Sequence, residues 1–372
     1  MSLAHAVEKN GDRRILVYIW VLLIGGLILL LSASSPLGYS KFQNSYFFVK
    51  KQILYGLVPG LALFIFFSHI NYFQLKKWAW ILYGVCLLLL ALVFINGVGV
   101  VLHGARSWLN IGGFSFQPSE LAKLSVIIML SHLLTDQKRD WDNWQTSILP
   151  ILAVLSPAVL LILLQPDVGT LSILAVSIFV ILYVAQIPNR YLVFLGGLGL
   201  ILFLGLLLVA SYRVDRLTTF LHPELDPNGK GYQINQAKLA IGSGGFWGLG
   251  YQQSRQKYQY LPEVNADSIF AILAEEMGFI FSVGLIVLIL LIGWRGLKIA
   301  AASNDEFGKL VVSGIASWVV WQSFLNIGGI MNALPLTGVP LPLVSHGGSS
   351  YIITLAALGI VMSVSKEANL IE

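Results

Sequence analysis

The chain is poor in charge. Only 11% of its 372 residues are Asp, Glu, Lys or Arg, against about 25% in a soluble domain. With 56% hydrophobic residues and a mean hydropathy of +0.78, an ordinary globular protein is excluded and an integral membrane protein is indicated. One cysteine, Cys86, lies in an apolar run, so no disulfide forms within the chain. One Cys and six scattered His build no metal motif. No basic block stands apart from the apolar runs, so the net charge of +5 reflects the flanks of membrane helices and not a nucleic-acid partner. There is no soluble domain, low-complexity tract or clear internal repeat, and the lack of an inverted repeat weighs against a transporter.

What is present is a series of long apolar runs. Ten of them suit bilayer-crossing helices, near residues 15–34, 52–70, 77–96, 119–135, 147–164, 168–187, 190–211, 268–292, 310–331 and 350–366. The first is too long for a secretory h-region and reads as a retained span. With the N-terminus inside, the cytoplasmic segments hold Lys9, Arg13, Arg14, Lys76, Lys77, Lys138, Arg139, Arg190, Arg295, Lys298, Lys309 and Lys366. The short outer loops hold Lys41, Lys50, Lys51 and Arg106. That is 12 cations against 4, which puts both termini in the cytoplasm. The expected fold is an all-α membrane protein, one polytopic domain over 1–372, with about ten spans and a large outer loop, 212–267, between the seventh and eighth. Residues 97–118 and 332–349 read as re-entrant-like loops, the latter because its three prolines exclude a regular helix. In the large loop, Tyr232 to Ile241 has a helical pattern and Gly242 to Gly250 a glycine-rich turn that lets chains pack closely. That turn follows no strand, so it is not a dinucleotide fingerprint.

Polar groups at the membrane edge are the candidate site. The stretch YLPEVNADSIFAILAEE brings Asp267, Glu275 and Glu276 to a loop–helix junction. Ionisable groups inside an apolar span mark functional sites by default. The plainer alternative makes Asp267 a helix cap and pairs Glu275 or Glu276 with structural cations. Glu120 and Lys123, three residues apart, share a helix face and can pair, either at a site or as a structural lock. Asp167, in QPDVGT, reads as a cap for the next helix. Lys238 and Lys257, among interleaved aromatics in the large loop, suit lipid phosphates. The tip SHGGSS offers Ser345, Gly347, Gly348 and Ser349 as an anion-binding nest before the last span.

Four ordered motifs carry a family resemblance across essentially the whole chain: GARSWLNIGGFSFQPSELAKL, QPDVGT, AIGSGGFWGLG with YLPEVNADSIFAILAEEMGF, and NALPLTGVPLPLVSHGGSS. The chain resembles the SEDS proteins, the RodA and FtsW type of peptidoglycan polymerase. The resemblance implies ten spans, a large extracytoplasmic loop between the seventh and eighth, and glycan polymerisation from lipid II on the outer face of the bacterial cytoplasmic membrane. It places an essential acid at Asp267, the fourth-helix acid and lysine at Glu120 and Lys123, and a substrate-side segment at Arg106 and Trp108. It also implies a separate single-span penicillin-binding-type transpeptidase, alongside other division or elongation membrane proteins. The family usually has His-Thr before this Asp and Phe after it, where this chain has Asn265, Ala266 and Ser268; His346 replaces a usual Tyr. The QSRQKYQYLPE run is closer to the division type and LTGVPLP to the elongation type, so the subclass stays open.

In the chemistry that follows, Asp267 takes the proton of an acceptor sugar hydroxyl, which displaces the lipid diphosphate with inversion. Glu120, Lys123 and Arg106 shape the cavity and hold phosphate. A divalent cation, magnesium or manganese, suits the diphosphate, although the sequence carries no dedicated site for one. The alternatives are a flippase for the lipid-linked precursor and a non-enzymatic scaffold of the division or elongation complex.

Overall fold

The computed structural model describes residues 11–102, 105–111, 114–136, 141–209, 218–226 and 229–368. Lys9, Lys138 and Arg139 of the charge count lie outside the described residues, as do Arg213 and Arg216 of the long loop. Each apolar run falls on a helix: α1 (Arg13–Phe42), α2 (Phe47–His69), α3 (Phe73–Leu92), α4 (Pro118–Asp136), α5 (Leu149–Leu164), α6 (Val168–Val184), α7 (Asn189–Val209), α9 (Ile269–Ala302), α10 (Glu306–Ile330) and α11 (Gly348–Glu367). Between α7 and α9 lies α8 (Lys230–Gly244), which covers the helical pattern expected in the long loop. By length and composition α1, α2, α3, α9, α10 and α11 can cross a membrane, while α5, α6 and the first part of α7 are shorter apolar helices.

The expectation of an all-α chain is corrected by a small antiparallel sheet, β1 (Gly99–Leu102), β2 (Ala105–Ile111) and β3 (Phe114–Phe116), in the order β1-β2-β3. Ser107 and Leu109 on β2 are buried while Asn110 is exposed. Three short strands satisfy each other's amides where glycines break any helix. The fold is therefore predominantly helical.

α10 and α11 form the buried centre; α2, α3 and α9 turn most of their apolar surface outward, as helices facing lipid do. Close backbone approach explains the packing. A Cβ on Gly60 would lie 2.6 Å from Leu355, and one on Gly359 would lie 2.6 Å from the Phe64 carbonyl, so α2 and α11 touch through small residues. At the end that carries the termini, Asp12 caps α1 by accepting from Ile15 N at 3.0 Å and pairs with Arg295 Nε at 2.7 Å. The backbone N–H of Asp12 donates to Ser365 Oγ, which ties α1, α9 and α11 together.

Two irregularities position the opposite end. First, α9 is broken at Gly278, where φ is +73° and ψ −167°. The glycine-rich turn after α8 plugs the break. Leu249 N and Gly250 N donate to the carbonyls of Glu275 and Glu276, and Phe279 N donates to Gly245 O. Backbone freed at a helix break in a membrane must be met by protein, and here it is. Gly248, with φ +82°, sits so close that a Cβ would fall 2.2 Å from Glu276 O. Gly248→Ala should therefore cost at least about 1–3 kcal/mol in strain, read as a lower thermal midpoint of the purified protein. Gly242→Ala, within α8 and into open space, is the control and should leave the midpoint unlowered or slightly raised.

Second, the segment 332–349 between α10 and α11 folds back into the bundle. Leu343 O lies where a Cβ on Gly26, midway along α1, would meet it at 2.4 Å. Its carbonyls at Val339 and Pro340 are bonded by side chains of α10. Irregular backbone survives at this depth because protein meets its polar groups.

Candidate functional site

Asp267 is the last residue but one before α9 and is half-buried. It does not cap the helix: the N-cap is Ser268, which makes no capping bond with its side chain. Ser268 instead donates to Pro262 O and accepts from Gln233 Nε2 of α8, so the long loop is drawn tight just before the helix begins.

The backbone around Asp267 is held by three consecutive carbonyls. Asn265 O accepts from His346 N at 2.8 Å, Ala266 O from Ser345 Oγ at 2.5 Å, and Asp267 O from Asn326 Nδ2 at 3.1 Å. The fold-back segment and α10 thus clamp the strip that carries the carboxylate. Its side chain faces Gly338, where φ is +78° and a Cβ would come within 3.5 Å of Asp267 Oδ2. Together Asp267, Leu325, Asn326, Gly329 and residues 336–339 line a small pocket. A carboxylate held at a pocket mouth by a fixed backbone can accept a proton from a bound hydroxyl.

Glu120 and Lys123 form a second centre. Lys123 Nζ pairs with Glu120 Oε2 at 2.8 Å, with both side chains almost wholly buried. It also donates to Gln322 Oε1 at 2.7 Å and lies 4.8 Å from the centre of the Trp318 ring. Gln322 in turn donates through Nε2 to Pro340 O at 2.8 Å. The pair therefore reaches the fold-back segment through Gln322, one helical turn from Asn326. Asp167 caps α6, accepting from Thr170 N at 3.0 Å and from the hydroxyls of Thr170 and Ser119. Gly169 lies close against Val339, which presses the same segment inward.

The remaining candidates divide. Arg106 and Trp108 are half-buried on β2, where Arg106 donates to Phe94 O and to Asn96 Oδ1 at 2.8 Å. Lys238 is exposed on α8. Lys257 is not on the pocket wall: it is buried, pairs with Glu276 Oε1 at 2.7 Å and donates to Ser32 Oγ of α1, which in turn donates to Glu276. Glu275 accepts from Arg255 N and from Ser254 Oγ. The two glutamates are thus structural partners that fasten the loop to the helices. Ser345 and Ser349 are buried and spend their hydroxyls on Ala266 O and Ser115 O. Gly347 N donates to Gln52 Oε1, and Gly348 begins α11. The tip therefore braces the site.

His346 is packed edge-on to Phe48, ring centres 5.5 Å apart. Burial, and then the Lys51 charge, push its pKa down from 6.5 to about 4. An unfolded histidine takes up a proton near 6.5 that the folded one refuses until about 4. Stability from this residue is complete above pH 6.5 and is lost as the pH falls toward 4, by about 3 kcal/mol. His346→Phe should flatten the fall in thermal midpoint over that window.

Gln322 and Asn326, which hold the fold-back segment, are not among the residues expected from the sequence. Both are amides on an apolar helix, spaced four apart on one face, which was the available signal.

Comparison with known proteins follows the same geometry. The family model described as a cell cycle protein, FtsW/RodA/SpoVE, matches residues 13–370. Stage V sporulation protein E of Bacillus subtilis (strain 168) is 41% identical over 96% of this chain and 98% of its own length. A probable peptidoglycan glycosyltransferase FtsW of Geobacter sp. (strain M18) is 37% identical over 96% of this chain and 97% of its own. Among solved structures, a chain of a peptidoglycan synthase complex, studied for the coordination of polymerization and crosslinking, superposes with TM-score 0.78. It is 31% identical and covers 95% of this chain and 97% of its own. Thermus thermophilus rod shape determining protein RodA gives 0.70 at 30% identity, over 97% and 98%.

Proposed function

This chain belongs to the FtsW/RodA/SpoVE family, and on that premise we propose that it is a peptidoglycan glycosyltransferase that polymerises lipid II at the outer face of the cytoplasmic membrane. The observation that carries the proposal is the Asp267 carboxylate facing Gly338 across a pocket whose backbone is clamped on both sides. Its relatives include proteins named peptidoglycan glycosyltransferases, which supports the reaction class.

In the proposed step a sugar hydroxyl of the acceptor gives its proton to Asp267 as its oxygen attacks the anomeric carbon of the donor. The carbon–oxygen bond to the diphosphate breaks, the electron pair leaves with the diphosphate, and the configuration inverts. Developing charge on the attacking oxygen falls as the carboxylate takes the proton. Charge on the leaving diphosphate needs cations, and Arg106 on β2 and the exposed Lys238 on α8 are the candidates outside the sealed core. Glu120 and Lys123 act from within, through Gln322 and the fold-back segment. The pocket beside Asp267 is far smaller than the roughly 300–1,000 Å³ usual for ligand sites, so the head group would meet the carboxylate at its opening and not inside it. Among the described residues no three His, Cys, Asp or Glu come together, so a divalent cation would arrive with the diphosphate.

The ten helices on the apolar runs are taken as the membrane crossings, with both termini in the cytoplasm and the pocket outside. A single-span penicillin-binding-type transpeptidase would supply crosslinking, in line with the synthase complex that this fold matches. The test is to give purified protein lipid II and separate the products by gel. Glycan strands support the enzyme. Movement of labelled lipid across a vesicle bilayer with no polymer would make it a flippase, and neither activity would leave a scaffold.

A further inference from the structure

α10 presents two amides to the fold-back segment, and they are not equivalent. Gln322 has its groups met: Nε2 donates to Pro340 O, and Oε1 accepts from Lys123 Nζ and Trp318 Nε1, each at 2.7 Å. Asn326, one turn on, donates through Nδ2 to Asp267 O at 3.1 Å and to Val339 O at 2.9 Å. Both acceptors are backbone carbonyls, which can only accept. The amide orientation is therefore fixed, with Nδ2 on the two carbonyls. Its Oδ1 is buried and accepts no hydrogen bond from any described residue. Asn326 is only 5% exposed, yet it lines the pocket beside Asp267. Leaving an amide acceptor unmet in a protein interior is costly, and most such groups find a partner.

We propose that Asn326 is a substrate-binding residue whose Oδ1 accepts a hydrogen bond from a hydroxyl or an acetamido N–H of the amino sugar that Asp267 acts on. The inference rests on the glycosyltransferase reading and names the acceptor side of its pocket. An aspartate at a pocket mouth accepts a proton from one group; a neutral acceptor next to it orients the ring by a second. The two are set by one side chain, because Nδ2 holds the carbonyl of Asp267 while Oδ1 is offered to the ligand. A site built to meet a donor discriminates strongly against a sugar that lacks it.

The test measures lipid II binding in the Asp267→Asn background, where turnover is removed, with and without Asn326→Ala. Thermal midpoints are read on the same samples. Asn326→Ala is expected to weaken binding by about tenfold, the effect of one lost hydrogen bond, while the folded protein is retained. Equal binding by both proteins, with only a lowered midpoint, overturns this inference and leaves Asn326 a structural clamp. No binding of lipid II by the wild-type protein overturns the enzymatic reading, and this inference with it. Where Asn326→Ala does not fold, Asn326→Ser, which keeps a hydroxyl donor for one wall carbonyl but no amide oxygen, carries the same comparison.

Discussion

Asp267→Asn is expected to lower the initial rate of glycan synthesis from lipid II by about 10²- to 10⁴-fold, the range that a positioned general base contributes. The substitution keeps the shape of the side chain and removes its negative charge and its ability to take a proton. The bonds that hold this strip use the backbone carbonyls of Asn265, Ala266 and Asp267, and none of these depends on the carboxylate. The strip should therefore stay folded in the variant, read as a retained cooperative thermal transition. A variant that folds, binds and does not polymerise isolates chemistry from structure. Equal loss of stability and rate would show instead that the carboxylate is a structural group.

The second large effect concerns the buried pair. Lys123→Met leaves Glu120 almost fully buried beside no cation, and breaking such a pair by one partner costs about 3–5 kcal/mol. Glu120→Gln should destabilise for the converse reason, leaving Lys123 with only Gln322 and the Trp318 ring. Removing both charges together is a different case, because well-packed apolar residues in place of a buried pair are often neutral or stabilising. Glu120→Leu with Lys123→Met should recover most of the lost thermal midpoint. Polymerisation should not return, because Gln322 then lacks the ammonium and is held against Pro340 O only by its bond from Trp318. A double variant that regains both stability and activity would reduce the pair to a lock between α4 and α10.

The helices were legible because each is a long, nearly unbroken apolar run, and a charge-poor run of that length has few alternatives. The break in α9 was not. Gly278 is one glycine among many in apolar sequence, and its meaning depends on Gly248, thirty positions away in a different element, whose loop fills the gap. The sheet over Gly99–Phe116 was hidden for a related reason: its strands are only three to seven residues long, too short for an alternating pattern to stand out. At the site, Asp267 stood out as an acid where the chain enters an apolar helix. Lys257 carried the same kind of signal, but its ion pair with Glu276 spans two elements, and composition alone put it with the phosphate-binding cations. Ser345 and Ser349 were read as ligand groups from their type, whereas their hydroxyls brace Ala266 and Ser115. Gln322 and Asn326 drew no attention on α10 until segment 332–349 folded back along that face.

The most direct test is a structure of the Asp267→Asn protein with lipid II bound. The account predicts that an acceptor sugar hydroxyl lies within about 2.6–3.2 Å of the side chain at position 267, the reach of a general base, with the diphosphate of the donor directed away from it. A head group bound elsewhere, or a side chain at 267 turned from the sugar with only protein around it, would contradict the account.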